Sequence, residues 1–468
     1  MNRQFSYLQQ RAGVFWGALS ILTLLTAALY NGFPLVTSDT GTYIFSGLHL
    51  QVPLDRPLTY GLWLRLTSLR HTLWGPVLAQ SVVITYLLLR SLATWAPRLQ
   101  PGLGRWLVVA AVSWGSGLPW FVGQLMPDIF TAIGVLALGL LWLRPRLAAV
   151  ETLLLLGLVA LAATVHASNL VCYSVLVGLV GGYRYWSHQS SPVVQRYWLT
   201  TAVVLAGWVL LPALHAAFGG GFAASRGSHV FLMGRLAETG MLDRVLHDQC
   251  QNHNWQLCQH RAELPDNAVD FIWPTESVLN RTGGWEGSRA EYTEILGVVA
   301  RTPRYYPVLL EEALQATGRQ LVHNKVGDGL TRQVENSNAF WKIQESFGYE
   351  LKEYTNSLQN HNQLHFDDLN ERYTLLLVLS GIGLLLVWAS GQLRPDARAW
   401  VLLVVVALVL NAAVTANLAN VLDRLQARVV WLLPFVACTL LVQHGLLWWH
   451  RLRPRFRLVA DEPSPPMV

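Results

Sequence analysis

The sequence predicts an α-helical polytopic membrane protein with about ten transmembrane helices and one mainly helical exoplasmic domain, and three observations carry that expectation. Hydrophobic residues make up 52% of the 468 and charged residues only 13%, with 20 tryptophans, which is far from a soluble average. Apolar segments recur with a reach of roughly twenty residues, the length a ~30 Å hydrocarbon core requires of a helix. Arginine gathers on alternate connections between them, as the positive-inside rule asks.

In chain order the expected spans cover residues 12–30, 73–91, 105–123, 127–144, 149–165, 168–184, 197–216, 372–390, 398–416 and 429–449. No small-residue cleavage site follows the first, so it is expected to stay as a span and not to leave as a signal peptide. With a cytoplasmic amino terminus, the inside segments carry Arg3 and Arg11, then Arg90, Arg98 and Arg105, Arg144 and Arg146, Arg184 and Arg196, Arg394 and Arg398, and the last group Arg451 to Arg457. The net charge of +6 is then a topology signal, which argues against a nucleic-acid partner. The expected modules are a transmembrane part over 1–216, an exoplasmic domain over 217–371, a second transmembrane part over 372–450 and a cytoplasmic tail over 451–468. Arginine-rich usage without a eukaryotic sorting signal points to a bacterial inner membrane, with the large domain periplasmic and both termini cytoplasmic.

The exoplasmic segment holds all three lysines, Lys325, Lys342 and Lys352, and most of the carboxylates. Gly219-Gly220-Gly221 opens it, residues 291–301 and 307–321 show helical apolar spacing, and Pro265, Pro274 and Gly283-Gly284 mark loops. Cys250 and Cys258 lie eight positions apart where an oxidising compartment permits a disulfide. His247, His253 and His260 flank that pair, but their spacing fits no zinc pattern. Cys172 and Cys438 fall within spans as small buried hydrophobes. No metal site is predicted, and cofactor use, a divalent metal included, stays open.

Polar clusters at the outer ends of the spans are the candidate functional residues, because ionisable groups at the edge of a membrane bundle are costly unless paired, hydrated or used. Ser38-Asp39-Thr40-Gly41-Thr42-Tyr43 and Asp55-Arg56-Pro57-Leu58-Thr59-Tyr60 lie in the first outside loop. Between them and beyond, residues 41–50 and 57–69 read as helices lying in the headgroup plane. Met126-Pro127-Asp128 suits a helix start, with proline in the first turn and a carboxylate at the positive end of the dipole, and it also places a second acid on the face of Asp39. His166-Ala167-Ser168-Asn169 occupies the next outside turn, either as a structural helix end or as a set of donors for the same cavity. Arg424 and Arg428 stand outside against the positive-inside rule, either snorkelling to lipid phosphate or recognising a bound anionic headgroup. His229 follows the seventh span closely, and Trp273, Trp285 and Trp341 are core residues or stacking faces for sugar rings.

This order of features resembles the GT-C superfamily of integral-membrane glycosyltransferases, in its protein-mannosyltransferase and aminoarabinose-transferase branch. The resemblance rests on an acid and tyrosine after the first helix, then Arg56-Pro57-Leu58-Thr59-Tyr60, Pro127-Asp128 at span four, and Asp423-Arg424 with Arg428 before Pro434. It covers roughly the first 215 residues and the 423–434 region, and it leaves out the exoplasmic domain. Asp39 has no adjacent second acid, and Val429 stands where tyrosine is common after the late arginine. The resemblance implies an inverting transfer from a polyprenyl-phosphate sugar to an acceptor hydroxyl on a glycan, lipid or protein at the outer face. Asp39 carries over as catalytic base and Asp128 as the second acidic site residue.

Elementary chemistry agrees with those roles. A hydroxyl needs a positioned carboxylate to take its proton, and partial desolvation can raise that carboxylate's pKa. A departing lipid phosphate needs cationic donors, for which Arg56, Arg424 and Arg428 are available. Tyr43, Tyr60, His166, Asn169 and His229 are the expected substrate contacts. The alternative is a lipid-linked glycan polymerase or ligase, or another non-GT-C membrane transferase. A transporter fits less well, because no internal repeat is visible and the acids gather at one face. No glycine-rich phosphate loop or nucleophile elbow occurs.

Overall fold

A computed structural model describes residues 2–187 and 193–460, with side chains over 12–185 and 194–448. The side chains of Arg3, Arg11 and the Arg451 to Arg457 group, and the tail over 461–468, lie outside the described part. Among the described residues every regular element is helical, apart from an isolated bridge between Leu35 and Gln124.

The first half runs α1 (Asn2–Leu24), α2 (Thr26–Asn31), α3 (Thr40–His49), α4 (Thr59–Ser68), α5 (Trp74–Trp95), α6 (Leu103–Gly115), α7 (Leu118–Val122), α8 (Ile129–Leu143), α9 (Ala149–Thr164), α10 (Ala167–Ser187) and α11 (Val193–Ala217). Next follow α12 (Ser228–Glu238), α13 (Met241–Gln249), α14 (Ala268–Ile272), α15 (Val278–Arg281), α16 (Gly284–Gly287), α17 (Arg289–Arg301), α18 (Tyr306–Val322), α19 (Asn338–Phe347) and α20 (Leu351–Thr355). The chain returns through α21 (Asp367–Ala389), α22 (Pro395–Leu418), α23 (Asp423–Val430) and α24 (Leu432–Ala460).

Five stretches are long and apolar enough to cross a membrane: Trp74–Trp95, Val194–Ala217, Asp367–Ala389, Pro395–Leu418 and Asp423–Trp448. The chain is therefore a helical membrane protein. The other expected spans are helical too, but they are not ten uniform rods. The first is broken at Leu25 and ends at Gly32, whose φ of +80° closes the turn. The third breaks at Ser116, where the hydroxyl donates back to the Val112 carbonyl (2.6 Å) and accepts from the Leu118 N–H, and Pro119 then starts the short α7. A side chain that satisfies the freed backbone groups is what makes such a break affordable in an apolar setting.

The 217–371 stretch divides in its packing. Residues 230–305 build a separate core around Leu242, Phe271, Tyr292 and Ile295. Val326, Phe340, Phe347 and Tyr354 instead join the core of the bundle. The 217–371 segment thus combines a small core of its own with packing on the bundle, where α18 meets α22 and α19 meets α3. Cys250 and Cys258 are joined by a disulfide at a Cα–Cα distance of 5.8 Å, beside the smaller core.

The loop helices α3 and α4 cross at two glycines. A Cβ on Gly47 would strike the Gly61 carbonyl, and one on Gly61 would meet the Gly47 nitrogen at 2.8 Å. Gly47→Ala is expected to force the pair apart and cost about 1–3 kcal/mol as overpacking. Thermal unfolding in detergent reads the loss; an unchanged midpoint would show that the crossing yields freely.

Candidate functional site

Asp39 is placed by the extended stretch before α3, and that stretch is clamped from two sides. The Leu35 N–H donates to the Gly123 carbonyl (2.8 Å) and the Leu125 N–H to the Leu35 carbonyl (3.0 Å). From the other side the Gln359 side chain accepts from the Val36 N–H (3.0 Å) and donates to the Val36 carbonyl. The Thr40 hydroxyl then accepts from the Thr37 N–H, turning the chain into the helix. Asp39 sits at the amino end of α3 without capping it, so its carboxylate is free to face other groups.

Two guanidinium groups meet that carboxylate. Arg56 approaches both oxygens at 3.0 Å, and Arg424 donates to Oδ2 at 3.2 Å. The Asp39, Arg56 and Arg424 side chains are 16%, 11% and 24% exposed, so the cluster is largely withdrawn from water while still reachable. Arg56 is further held by Asp55 through its Nε (2.9 Å), and its guanidinium lies 5.2 Å from the centre of the Tyr43 ring. Arg424 is positioned through its backbone, whose N–H donates to Asp328 Oδ2 (3.1 Å), while Gln320 brackets both polar groups of Leu422.

This geometry corrects the expectation of a carboxylate poised high. Burial by itself pushes the Asp39 carboxyl up, but the Arg56 and Arg424 guanidinium groups outweigh it and hold Asp39 well below the usual carboxylate range. In the unliganded protein Asp39 is a paired anion and a poor proton acceptor.

Asp128 faces the same cavity, at the start of α8. The cavity has a volume of about 530 Å³ and also has Asp39, Tyr43, Arg56, His166 and Arg424 in its wall. Across from them Phe231, Val269, Ile272 and Trp273, from α12 and the α14 end, close it with apolar surface. The two early acids therefore do share one hollow, flanked by Arg56 and Arg424.

Four expected contacts lie elsewhere. Arg428 is 0% exposed and outside the cavity wall; it donates to Asp128 Oδ1 (3.0 Å), to Asn411 Oδ1 (3.0 Å) and to Ser168 Oγ (3.3 Å). A guanidinium so enclosed cannot reach a lipid phosphate without unfolding its surroundings, so Arg428 is an internal ion-pair partner. Tyr60 is buried, donating to Gln80 (2.8 Å) and packing edge-on to Tyr43, where it supports the wall from behind. Asn169 is tied between Thr131 and the Ala162 carbonyl, joining α8 to α9. His229 bonds the Trp285 carbonyl (2.8 Å) within the outer core.

Gln359, Asp328, Gln320 and Asn411 were not singled out by sequence reasoning. Their signal is weak: Gln320 and Gln359 are neutral amides in polar stretches and resemble solvated residues, Asn411 is a single amide within an apolar span, and only Gly327-Asp328-Gly329, whose glycines have φ of +107° and +79°, advertises a tight turn. Among the described residues no group of three His, Cys, Asp or Glu side chains gathers in metal-holding geometry. The far end of the bundle is different in kind: Arg90 and Arg144 converge there on Glu151 at 2.6–2.8 Å, leaving one uncompensated positive charge. No protein-family model, curated protein or solved structure matches the chain.

Proposed function

We propose that the protein is a membrane glycosyltransferase that moves a sugar from a polyprenyl-phosphate carrier to an acceptor hydroxyl at the outer face of a bacterial inner membrane. In this reading the shorter helices complete a GT-C-like bundle of about ten crossings, with the termini cytoplasmic and the cavity periplasmic. The observation that carries the reading is the Asp39 carboxylate between Arg56 and Arg424 in a hollow that is polar on one wall and apolar on the other.

The chemistry follows from the charges. A lipid-linked phosphate is a bidentate partner for guanidinium and competes with Asp39 for Arg56 and Arg424. As those two groups turn to phosphate, Asp39 loses the interaction that holds its pKa down and becomes a competent base. The acceptor oxygen then attacks the anomeric carbon while its proton passes to Asp39. The bond from that carbon to the phosphate oxygen breaks, and the departing polyprenyl phosphate keeps the electron pair, stabilised by the same two arginines. The apolar wall around Phe231 and Trp273 suits the first units of the carrier chain or an apolar acceptor.

Mass spectrometry of lipids carried through purification tests this. Polyprenyl phosphate or its glycosylated form is expected with the unaltered chain, and a loss of about tenfold or more with Arg56→Ala combined with Arg424→Ala, since each charged hydrogen bond is worth about 1.5–3 kcal/mol. Equal recovery from both proteins would contradict a phosphate site at these arginines.

A further inference from the structure

His166 lies in the turn between α9 and α10, in the cavity wall, and its protonation pattern can be read from its neighbours. Arg428 donates an N–H to Ser168 Oγ at 3.3 Å, and a guanidinium has no lone pair to offer in return. Ser168 Oγ also lies 2.9 Å from His166 Nδ1. Among the described residues the Ser168 hydroxyl hydrogen has no acceptor other than that nitrogen, and the arrangement that uses it there leaves a lone pair on Nδ1 and the ring proton on Nε2. Burial, and then the nearby charges of Arg428, Arg56 and Arg424, keep the imidazole from taking a second proton, with Asp39 opposing them only weakly. Nε2 itself has no hydrogen-bond partner among the described residues.

From this arrangement we infer that His166 is a fixed, neutral hydrogen-bond donor to a phosphoryl oxygen of the ligand in this cavity, with its tautomer set by Arg428 through Ser168. The ligand assignment rests on the proposed glycosyl transfer; the tautomer does not. The inference also gives the Asp128–Arg428 pair a role at one remove from the chemistry. Asp128 anchors Arg428, Arg428 engages the Ser168 oxygen, Ser168 presents its hydrogen to His166, and His166 turns an N–H into the hollow. A second-layer network of this kind fixes which ring nitrogen carries the proton.

The test uses the full chain, labelled with ¹⁵N-histidine and held in lipid nanodiscs, with His166→Gln identifying the His166 signals. Nitrogen shifts should show the Nε2–H tautomer unchanged from about pH 5.5 to 8, and Ser168→Ala should replace it by a mixture of tautomers. This readout does not depend on any ligand. An Nδ1–H tautomer, or a ring that protonates near pH 6, overturns the assignment. Binding of farnesyl phosphate then tests the contact: His166→Phe is expected to weaken it about tenfold or more, while His166→Gln, which keeps an N–H at a similar reach, stays within about threefold. Equal affinity of the Phe variant overturns the contact. Inorganic phosphate showing the same His166 dependence would support the phosphoryl contact and assign it to a soluble anion. Failure of the unaltered chain to bind farnesyl phosphate would overturn the functional reading and its ligand while leaving the tautomer result intact.

Discussion

Asp39→Asn is expected to lower sugar transfer by about 10²–10⁴-fold, the range that a positioned general base contributes. The loss should appear in kcat. Asparagine leaves Arg424 without its carboxylate partner and Arg56 with Asp55 alone, so a phosphate-bearing donor should bind as well as before or better. Transfer of radiolabelled sugar from polyprenyl-linked lipids extracted from the host membrane provides the rate. A variant with normal kcat and a raised KM would place Asp39 in binding alone.

The same carboxylate makes a pH prediction whose sign follows from its pairing. In the free protein the two guanidinium groups hold Asp39 below its usual range, so its stabilising charge is present above the ordinary carboxylate pKa and is lost only as pH falls toward the depressed value. Once phosphate occupies the arginines that depression is relieved. The acid limb of kcat, which reports the complex, is therefore expected at higher pH than the acid limb of kcat/KM, which reports the free protein. Coincident limbs would mean that the donor does not displace Asp39 from its arginines.

Arg428→Met alone is expected to destabilise the fold by about 3–5 kcal/mol, because it strands the Asp128 carboxylate in a site that is 4% exposed. Replacing both members, Asp128→Leu with Arg428→Met, removes the charge pair together and is expected to recover most of that loss. Thermal unfolding of the two single variants and the double variant measures the coupling. Additive losses would show that the pair makes no joint contribution. The double variant has a second expected property: without the Arg428 N–H at Ser168, the His166 ring loses its tautomer preference even though the protein folds.

Much of this arrangement was visible in the chain before any coordinates. The polar runs at 38–43, 55–60, 126–128, 166–169 and 423–428 stand out because charge is costly in an apolar surrounding. All five meet around one hollow or directly behind it. Which arginine serves which acid was not legible, since Arg424 and Asp39 are 385 positions apart and helix periodicity carries no information about such pairing. Arg428 illustrates the difficulty. It and Arg424 lie one helical turn apart at the start of the last crossing, yet one edges the cavity and the other is sealed beneath Asp128. Tyr60 failed as a substrate contact for a related reason, because an interfacial tyrosine and a buried one have the same sequence signature until its partner, Gln80, is known. Where the 217–371 segment meets the bundle was equally hidden: α19 has the amphipathic pattern of any surface helix, and only the missing side chain at Gly41, which lets Asn338 and Ala339 approach α3, shows where its apolar face goes.

A density map of the purified chain with bound farnesyl phosphate tests the central claim most directly. The phosphate is expected between the Arg56 and Arg424 guanidinium groups, with the Asp39 carboxylate freed from at least one of them and the prenyl units along the Phe231 and Trp273 wall. A phosphate bound at another surface, with both Asp39 ion pairs intact, would contradict it.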